Sequence, residues 1–211
     1  MNLTIIKFQE LYTISQSNLN ETDMATRLIQ CFTRKTEQEI DKMKLSDFNK
    51  LCQKVQQLFV LPESKPYPYL KAGKNWYKVN FDIGKMKAGR YVEVTVFSND
   101  VIGNLHKIMA SICTPVKLTL FGFKELPYQS SKHEDYANDM LSAPFYKSYQ
   151  SMLFFSVLYR ELIRNTQPYL EKQMIAKGVD SRTAAKTMED LLKILDGYIQ
   201  PKWLKNLKVE L

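Results

Sequence analysis

The chain has 211 residues and a formal net charge of +8 at pH 7, with 30 Lys and Arg against 22 Asp and Glu. Its hydrophobic content of 45% is typical of globular proteins and excludes a chain that is mainly disordered. The positive charge favours acidic partners without specifying which. With only 3 Cys and 2 His, the sequence offers little material for a metal site or for histidine-based catalysis.

The sequence carries no recognisable targeting signal. Met1–Lys7 lacks an apolar stretch of signal-peptide length, so we expect no secretory leader. No run of about 18 apolar residues is present, so we expect no transmembrane helix. Cys31, Cys52 and Cys113 are far apart and form no C-x-x-C motif, which predicts buried, reduced cysteines.

The first 61 residues are predicted to be helical, because they contain neither Gly nor Pro. Apolar side chains recur at helical spacing in residues 3–14 and 24–32. Thr36-Glu37-Gln38-Glu39 matches a capping box, and Ser46 is placed to cap a further helix. We therefore predict an N-terminal helical bundle in residues 1–61.

Three prolines between Leu61 and Pro68 cannot continue a helix and predict a subdomain boundary. Beyond them, apolar and polar residues alternate with the period of a strand in Asn75–Ile83, Tyr91–Phe97 and Val116–Leu120. Gly73-Lys74 suits a hairpin turn before the first of these strands.

A helix from Asp100, as its cap, to Ile112 is predicted to lie across one face of this sheet. We therefore expect a small, mostly antiparallel sheet with a covering helix in residues 62–135. In that arrangement Asp82 and Glu93 lie on the solvent face and pair with Lys78 and Lys117.

The last third, residues 136–211, is predicted to form long helices that make one compact unit with residues 62–135. Phe145–Asn165 is apolar nearly all round between Met152 and Tyr159, which predicts a central, buried helix. Gly178 and Asp180 separate it from a last helix ended by Pro201. That helix carries one apolar stripe, formed by Ala184, Met188, Leu191, Leu192, Leu195 and Ile199. The fold class is therefore α+β.

The strongest functional signal in the residues themselves is a basic and aromatic stretch. Between Lys65 and Arg90 there are seven cationic side chains and one acidic one, Asp82, with aromatic residues among them. Cations neutralise phosphates and aromatic rings stack on bases, so this pattern is typical of single-strand binding. It is equally typical of a sheet with an apolar core face and lysines on its solvent face. The candidate partner-binding residues here are Tyr67, Tyr69, Lys71, Lys74 and Trp76.

The basic tail after Pro201 contains Trp203, which we consider together with Lys205 as a second candidate partner-binding element. A terminal Trp can dock on a neighbouring subunit, where buried Trp contributes strongly to affinity. Folding of Trp203 back onto its own helix is the alternative.

Catalytic and metal-binding motifs are lacking in the sequence. His106 and His133 form no H-x-x-x-H motif and no Cys/His cluster, and Gly73-Lys74 and Gly84-Lys85 lack the remaining residues of a phosphate loop. A Cys–His nucleophile pair stays open, because such partners meet in space rather than in sequence. We expect a protein that is not an enzyme and that has no cofactor and no metal.

Three segments resemble a group of small proteins from tailed phages of Bacteroides and related hosts, including crAss-like phages. Leu3–Leu11 resembles their "T-I-x-x-F-x-x-L" opening, and Thr36–Leu51 resembles their "T-x-E-E-I-x-x-M-x-L-x-x-F" segment. Asn104–Ala110 is similar to a later "N-L-H-K-I-L-A" segment. These segments, with the order of predicted elements, extend the resemblance to about half of the chain.

The resemblance implies a virion structural protein or a tail-assembly-chaperone-like protein. We expect a ring or collar subunit of the connector or tail, located in the virion and made in the host cytoplasm. Its partners would be copies of itself and neighbouring head–tail connector or tail proteins, with non-specific contact to phage DNA and none to a membrane. The alternatives are a soluble tail-assembly chaperone absent from the mature particle, and a nucleic-acid-binding protein that uses residues 65–91.

Overall fold

The computed structural model describes residues 3–60 and 65–199. Within these residues it contains nine α-helices and a four-stranded antiparallel sheet, which confirms the α+β class. The helices are α1 (Ile5–Ser15), α2 (Glu21–Thr33), α3 (Glu37–Asp41), α4 (Leu45–Gln57), α5 (Ala88–Phe97), α6 (Leu105–Ile112), α7 (His133–Met140), α8 (Phe145–Ala176) and α9 (Ser181–Ile199). The strands are β1 (Tyr69–Ala72), β2 (Asn75–Val79), β3 (Cys113–Thr119) and β4 (Gly122–Glu125), hydrogen-bonded in that order.

Three of the N-terminal helices, α1, α2 and α3, begin after a side chain that accepts from a backbone N–H of the first turn: Thr4, Asn20 and Thr36. The capping box before α3 is confirmed, because Thr36 and Glu39 exchange side-chain to backbone hydrogen bonds. Ser46 does not cap α4, which begins one residue earlier at Leu45 after Lys44. Its backbone is already helical, so Ser46 lies within the first turn.

The segment Tyr91–Phe97, predicted as a strand, is instead part of helix α5. Its valines alternate with polar residues, but the buried side chains lie four apart at Arg90, Val94 and Ser98. This spacing is helical, and Val92 points to solvent. Tertiary packing overrides the strand preference of the β-branched residues, since the helix buries Arg90 against the carbonyls of Ser111 and Cys113.

The remaining predicted strands are confirmed with shorter or shifted bounds. β2 ends at Val79, and residues 83–85 form a 3₁₀ turn rather than the end of a strand. Gly73 makes the β1–β2 turn with φ of 59°, a conformation that glycine adopts without strain. The covering helix α6 begins at Leu105, and Asp100 caps the turn before it by accepting from the backbone N–H of Gly103.

Helix α8 is central, as predicted, but it is longer, and it is not buried on all sides, because Phe154 is 38% exposed. Its buried side chains follow helical spacing through the first half, at Phe145, Tyr149, Met152, Phe155 and Tyr159. The helix continues beyond Asn165, through Pro168, to Ala176. This second half packs against α9. The stabilisation from this packing offsets the cost of the backbone hydrogen bond that proline cannot donate.

The α8–α9 turn is formed as predicted, by Gly178 with φ of 90° and by Asp180, whose carboxylate accepts from the backbone N–H of Thr183. In α9, Ala184 and Met188 are buried and Leu192 is half-buried, in agreement with the predicted stripe. The side chains of Leu191, Leu195 and Ile199, with Pro201 and the tail, lie outside the described residues.

One hydrophobic core joins the N-terminal helices to α8. The rings of Phe8 and Phe145 stack with centroids 3.6 Å apart, and the backbone N–H of Phe145 donates to the carbonyl of Leu3 at 2.7 Å. The buried face of the sheet, with Leu70 and Tyr77, belongs to the same core. The division at residues 61/62 and 135/136 stays a prediction about independently folding units.

Candidate interaction surfaces

The antiparallel register places several predicted partner-binding residues on one side of the sheet. Lys71 pairs with Trp76 across β1 and β2, and Tyr69 pairs with Lys78, so the four side chains share a face. Leu118 and Phe123 pair across β3 and β4, and Phe123 contacts this face. We call this the outer sheet face; its members are exposed or half-buried: Tyr69, Lys71, Trp76, Lys78, Leu118 and Phe123.

Aromatic packing organises the outer sheet face around Phe123. The rings of Tyr69 and Phe123 are stacked with centroids 4.5 Å apart, and Trp76 is tilted against Phe123 at 5.2 Å. Such contacts hold the rings in place before any partner binds, and preorganised side chains lose little entropy on binding.

The lysines predicted as partner-binding residues have different surroundings. Lys71 and Lys74 are exposed, with Lys74 in the β1–β2 turn. Lys78 donates to Glu125 at 2.5 Å, and this hydrogen bond raises the pKa of Lys78. The expected pairing of Lys78 and Lys117 with Asp82 and Glu93 is wrong, because Asp82 pairs with Lys85 at 2.7 Å. That pairing required a strand at residues 91–97.

The β3–β4 turn presents two apolar side chains to solvent. Leu120 and Phe121 are the central residues of the turn, and both are fully exposed. The Thr119 hydroxyl fixes the turn, since it accepts from the backbone N–H of Phe121 at 3.3 Å and donates to the carbonyl of Gly122 at 2.8 Å. We call Leu120 and Phe121 the hairpin tip; Leu118 connects it to the outer sheet face.

Tyr67, another predicted partner-binding residue, does not join this surface. Tyr67 packs beside α8, where Lys147 lies 4.9 Å from its ring and the Ser151 hydroxyl bonds to its backbone. Trp203 and Lys205 lie outside the described residues.

Arg90, counted in the basic stretch, is a core residue rather than part of a binding surface. It is 8% exposed, its guanidinium donates to the backbone carbonyls of Ser111 and Cys113, and it stacks on the ring of Tyr128 at 4.1 Å. Burial lowers the pKa of Arg90. The arginine therefore ties α5 to the junction of α6 and β3.

Glu93 also faces inward, which corrects its predicted place on the solvent face. Its carboxylate accepts from the Ser111 hydroxyl at 3.0 Å and lies 3.5 Å from Nδ1 of His133. Tyr128 contacts the same ring nitrogen at 2.8 Å, and burial raises the pKa of Tyr128 to about 12. Because Ser111 is fully buried, a solute cannot reach its hydroxyl without opening the fold.

All three cysteines were predicted to be buried. Cys52 and Cys113 are buried, whereas Cys31 is half-buried. Burial raises the pKa of Cys113 to about 12, so it is a thiol rather than a nucleophilic thiolate at neutral pH. No cluster of three or more His, Cys, Asp or Glu side chains suited to a metal ion occurs in the described part of the chain.

A cleft of about 470 Å³ opens between α1, the end of α2 and the end of α4. Its apolar walls come from Leu3, Ile6, Phe32 and Leu58, and its charged rim comes from Lys7, Glu10 and Arg34. Lys7 and Glu10 pair at 2.9 Å. We call this the N-terminal cleft. It lies within the range of about 300–1,000 Å³ typical of pockets that enclose a ligand.

No protein-family model matches this chain, and no curated protein or solved structure does either. Across residues 3–60 and 65–199, no helix combines the length and apolar character needed to span a bilayer.

Sequence reasoning missed the apolar residues of the β3–β4 hairpin as candidate interaction residues: Leu118, Leu120, Phe121 and Phe123. The signal was present in Thr119-Leu120-Phe121-Gly122. Turn centres are normally Gly, Asn, Asp or Ser, so an apolar pair between a Thr and a Gly is unusual for a turn that faces only solvent. The alternation of 116–120 concealed it, because Leu120 fits the strand pattern.

Proposed function

We propose that this chain is a non-enzymatic structural protein of a tailed bacteriophage. In this proposal it is a ring or collar subunit of the connector or tail, located in the virion, that assembles with copies of itself and with neighbouring virion proteins. The observation that carries the proposal is the hairpin tip. Leu120 and Phe121 are held in a fixed turn and fully exposed, although apolar side chains of this size are stabilised by burial.

The energetics of the hairpin tip favour assembly over a tight isolated pair. Full burial of one Leu or Phe contributes about 1.5–3 kcal/mol, so the two together contribute about 3–6 kcal/mol. Association costs about 4–15 kcal/mol in lost translational and rotational freedom. A single contact of this kind is therefore weak, whereas contacts repeated around a closed ring become strong together.

The proposal is tested by quantitative mass spectrometry of purified virions of the phage whose genome encodes the chain. Detection at a copy number typical of a ring supports a structural role. Presence in infected cells but absence from purified particles favours the alternative of a soluble tail-assembly chaperone. A catalytic activity that survives in a Leu120→Ser/Phe121→Ser variant, with no copies in the particle, would contradict both.

The outer sheet face favours a second candidate, binding of single-stranded nucleic acid. Three aromatic rings and the cations of Lys71 and Lys78 share one face of an antiparallel sheet, and base stacking combined with phosphate neutralisation uses these groups. Stacking of Tyr69 on Phe123 already occupies one surface of each ring, which limits the area left for bases.

This second candidate predicts salt-dependent binding of single-stranded DNA or RNA that weakens in a Lys71→Glu/Lys74→Glu variant. Lys78 is left unchanged, because it pairs with Glu125 and a Glu at position 78 would place two carboxylates side by side. The matched control is Lys172→Glu/Lys177→Glu, with the same charge change at exposed positions of the α8–α9 end. Equal affinity of the two variants in fluorescence anisotropy titrations would exclude the sheet face as the binding site.

A further inference from the structure

The N-terminal cleft has the size of a site for one small molecule. Its volume is about 470 Å³, and nine residues line it. Pockets that enclose a small ligand measure about 300–1,000 Å³, whereas a stable protein interface takes about 20–30 residues from each partner. The cleft is therefore large enough for one small ligand and too small to be a stable protein interface by itself. Because its walls are apolar, such a ligand needs an apolar part.

The charges of Lys7 and Glu10 at the rim of the cleft cancel each other. The Glu10 carboxylate accepts from Lys7 at 2.9 Å and from the thiol of Cys31 at 3.6 Å. The Thr33 hydroxyl is also occupied, since it donates to the carbonyl of Ile29 at 2.7 Å. These polar groups of the rim therefore have partners within the chain.

Arg34 leaves the rim with a net positive charge. It is exposed, and it takes part in none of the ion pairs found in residues 3–60 and 65–199. A ligand whose polar group is an anion is therefore complementary to this rim, because the guanidinium donates hydrogen bonds and carries charge.

The backbone of Arg34 is a second, independent indication of a ligand site. Arg34 ends α2 in the left-handed conformation, with φ of 62° and ψ of 19°, and no other non-glycine residue of the described segments has a positive φ. This conformation is strained for residues with a Cβ, and glycine is the usual residue where a helix ends in this way. Strained backbone is concentrated at active sites and ligand clamps. Arginine at this position keeps a guanidinium beside the cleft at the expense of local stability.

We propose that the N-terminal cleft binds an amphipathic carboxylate of the fatty-acid class. The alkyl chain of the ligand lies between Ile6 and Phe32, where its burial is favourable, and the carboxylate lies on Arg34. A guanidinium is a planar fork of N–H donors that matches the two oxygens of a carboxylate. This inference goes beyond the proposed function and does not depend on it, because a small ligand in the cleft is compatible with presence in the virion and with absence from it.

The first experiment titrates decanoate into the full chain by isothermal titration calorimetry. We expect one decanoate per chain, and an affinity that rises about fourfold for each CH₂ added between octanoate and decanoate. Decanol has the same chain without the charge and should bind about tenfold or more weakly, since it loses the charged hydrogen bonds to Arg34. No binding of decanoate, or equal affinities for decanoate and decanol or for decanoate and octanoate, would overturn the inference.

Arg34→Gly tests the contact with the carboxylate in a variant that should keep its fold, because glycine adopts the left-handed conformation without strain. We expect a loss of decanoate affinity of about tenfold or more, with the affinity for decanol unchanged. Lys35→Gly is the matched control, since Lys35 is the next residue, is exposed and lies outside the lining of the cleft. It loses the same charge and should bind decanoate as the unmodified chain does. Equal decanoate affinities of the two variants would refute the role of Arg34.

Glu10→Gln tests the charge of the rim in the opposite direction. The substitution removes a carboxylate that repels the ligand and releases Lys7 from its ion pair, so decanoate should bind several-fold more tightly. Glu21→Gln, at an exposed residue outside the cleft, should leave the affinity unchanged. Weaker binding by Glu10→Gln than by Glu21→Gln would contradict an anionic ligand.

A last set of variants locates the alkyl chain. Ile6→Ser, at a wall residue that is 44% exposed, should weaken decanoate binding, whereas Val92→Ser, at a residue of α5 that is 56% exposed, should not. Leu120→Ser/Phe121→Ser should also bind decanoate normally, and a loss of binding in this variant would move the ligand to the hairpin tip and overturn the inference. Binding of a tripeptide with a C-terminal leucine carboxylate, without binding of decanoate, would make the occupant a protein chain end and overturn it as well.

Discussion

Replacing Arg90 by Met distinguishes a structural role of this arginine from a role in binding. The guanidinium donates to the carbonyls of Ser111 and Cys113 and stacks on Tyr128, all within the core. Met has a similar length and no donors, so the substitution leaves two buried carbonyls without this partner.

The magnitude follows from these two hydrogen bonds. Hydrogen bonds to a charged group contribute about 1.5–3 kcal/mol each, and the variant regains part of the cost of burying the charge. We expect a net loss of about 2–4 kcal/mol of unfolding free energy. For a chain of this size, 1 kcal/mol corresponds to about 2–4 °C, so Tm should fall by about 4–16 °C.

The assay is urea denaturation followed by circular dichroism, together with a thermal scan. Lys71→Met is the control, since Lys71 is exposed and a surface substitution of this kind changes stability by about 0.5 kcal/mol or less. Equal stability of the two variants would refute the structural role of Arg90. If Arg90→Met lost partner binding but kept its full stability, Arg90 would be assigned to the binding surface.

Two further predictions concern polar contacts of the core and its edge. Tyr77→Phe should lower the unfolding free energy by about 1.5–3 kcal/mol, because the buried Tyr77 hydroxyl donates to the Asp139 carboxylate at 2.5 Å. Tyr169→Phe, at an exposed tyrosine, should have no measurable effect in the same denaturation assay, and an equal effect would contradict the prediction. Acidification should destabilise the protein through His106, whose pKa is lowered by burial. As the pH falls below about 6.5, the unfolded chain binds more protons than the folded chain does. The stabilising contribution of the neutral His106 is therefore complete above about pH 6.5 and is lost as the pH falls through the lowered pKa of the folded state. His106→Gln should reduce the slope of stability against pH in that window, and an unchanged slope would assign the dependence to other groups.

The buried polar cluster of Arg90, Glu93, Ser111, Tyr128 and His133 explains why the basic stretch overstates the charge available for binding. A side chain that hydrogen-bonds to backbone inside the core neither steers nor neutralises a partner. Of the seven cations between 65 and 90, Arg90 is buried and both Lys78 and Lys85 are paired with carboxylates. Lys71 and Lys74 remain as exposed cations at the sheet.

The sequence by itself determined the features that depend on local chemistry. The Thr36–Glu39 capping box, the Gly73 turn and the Gly178–Asp180 break were predictable, because each depends on residues a few positions apart. The α+β class followed from the periodicity of apolar residues, and the central position of α8 followed from its nearly continuous apolar run between Met152 and Tyr159. The shared face of Tyr69, Lys71 and Trp76 agrees with their selection from charge and aromatic content, and their role in partner binding stays a prediction.

Only the tertiary structure decided that α5 is a helix rather than a strand and which side chains make up the outer sheet face. The valines of 92–96 favour a strand locally, but the burial of Arg90 against the carbonyls of Ser111 and Cys113 requires partners about twenty residues away. Likewise, Phe123 meets Tyr69 and Trp76 only because the strands pair in this register. Pairings of this kind join distant parts of the chain, and residue spacing carries no information about them.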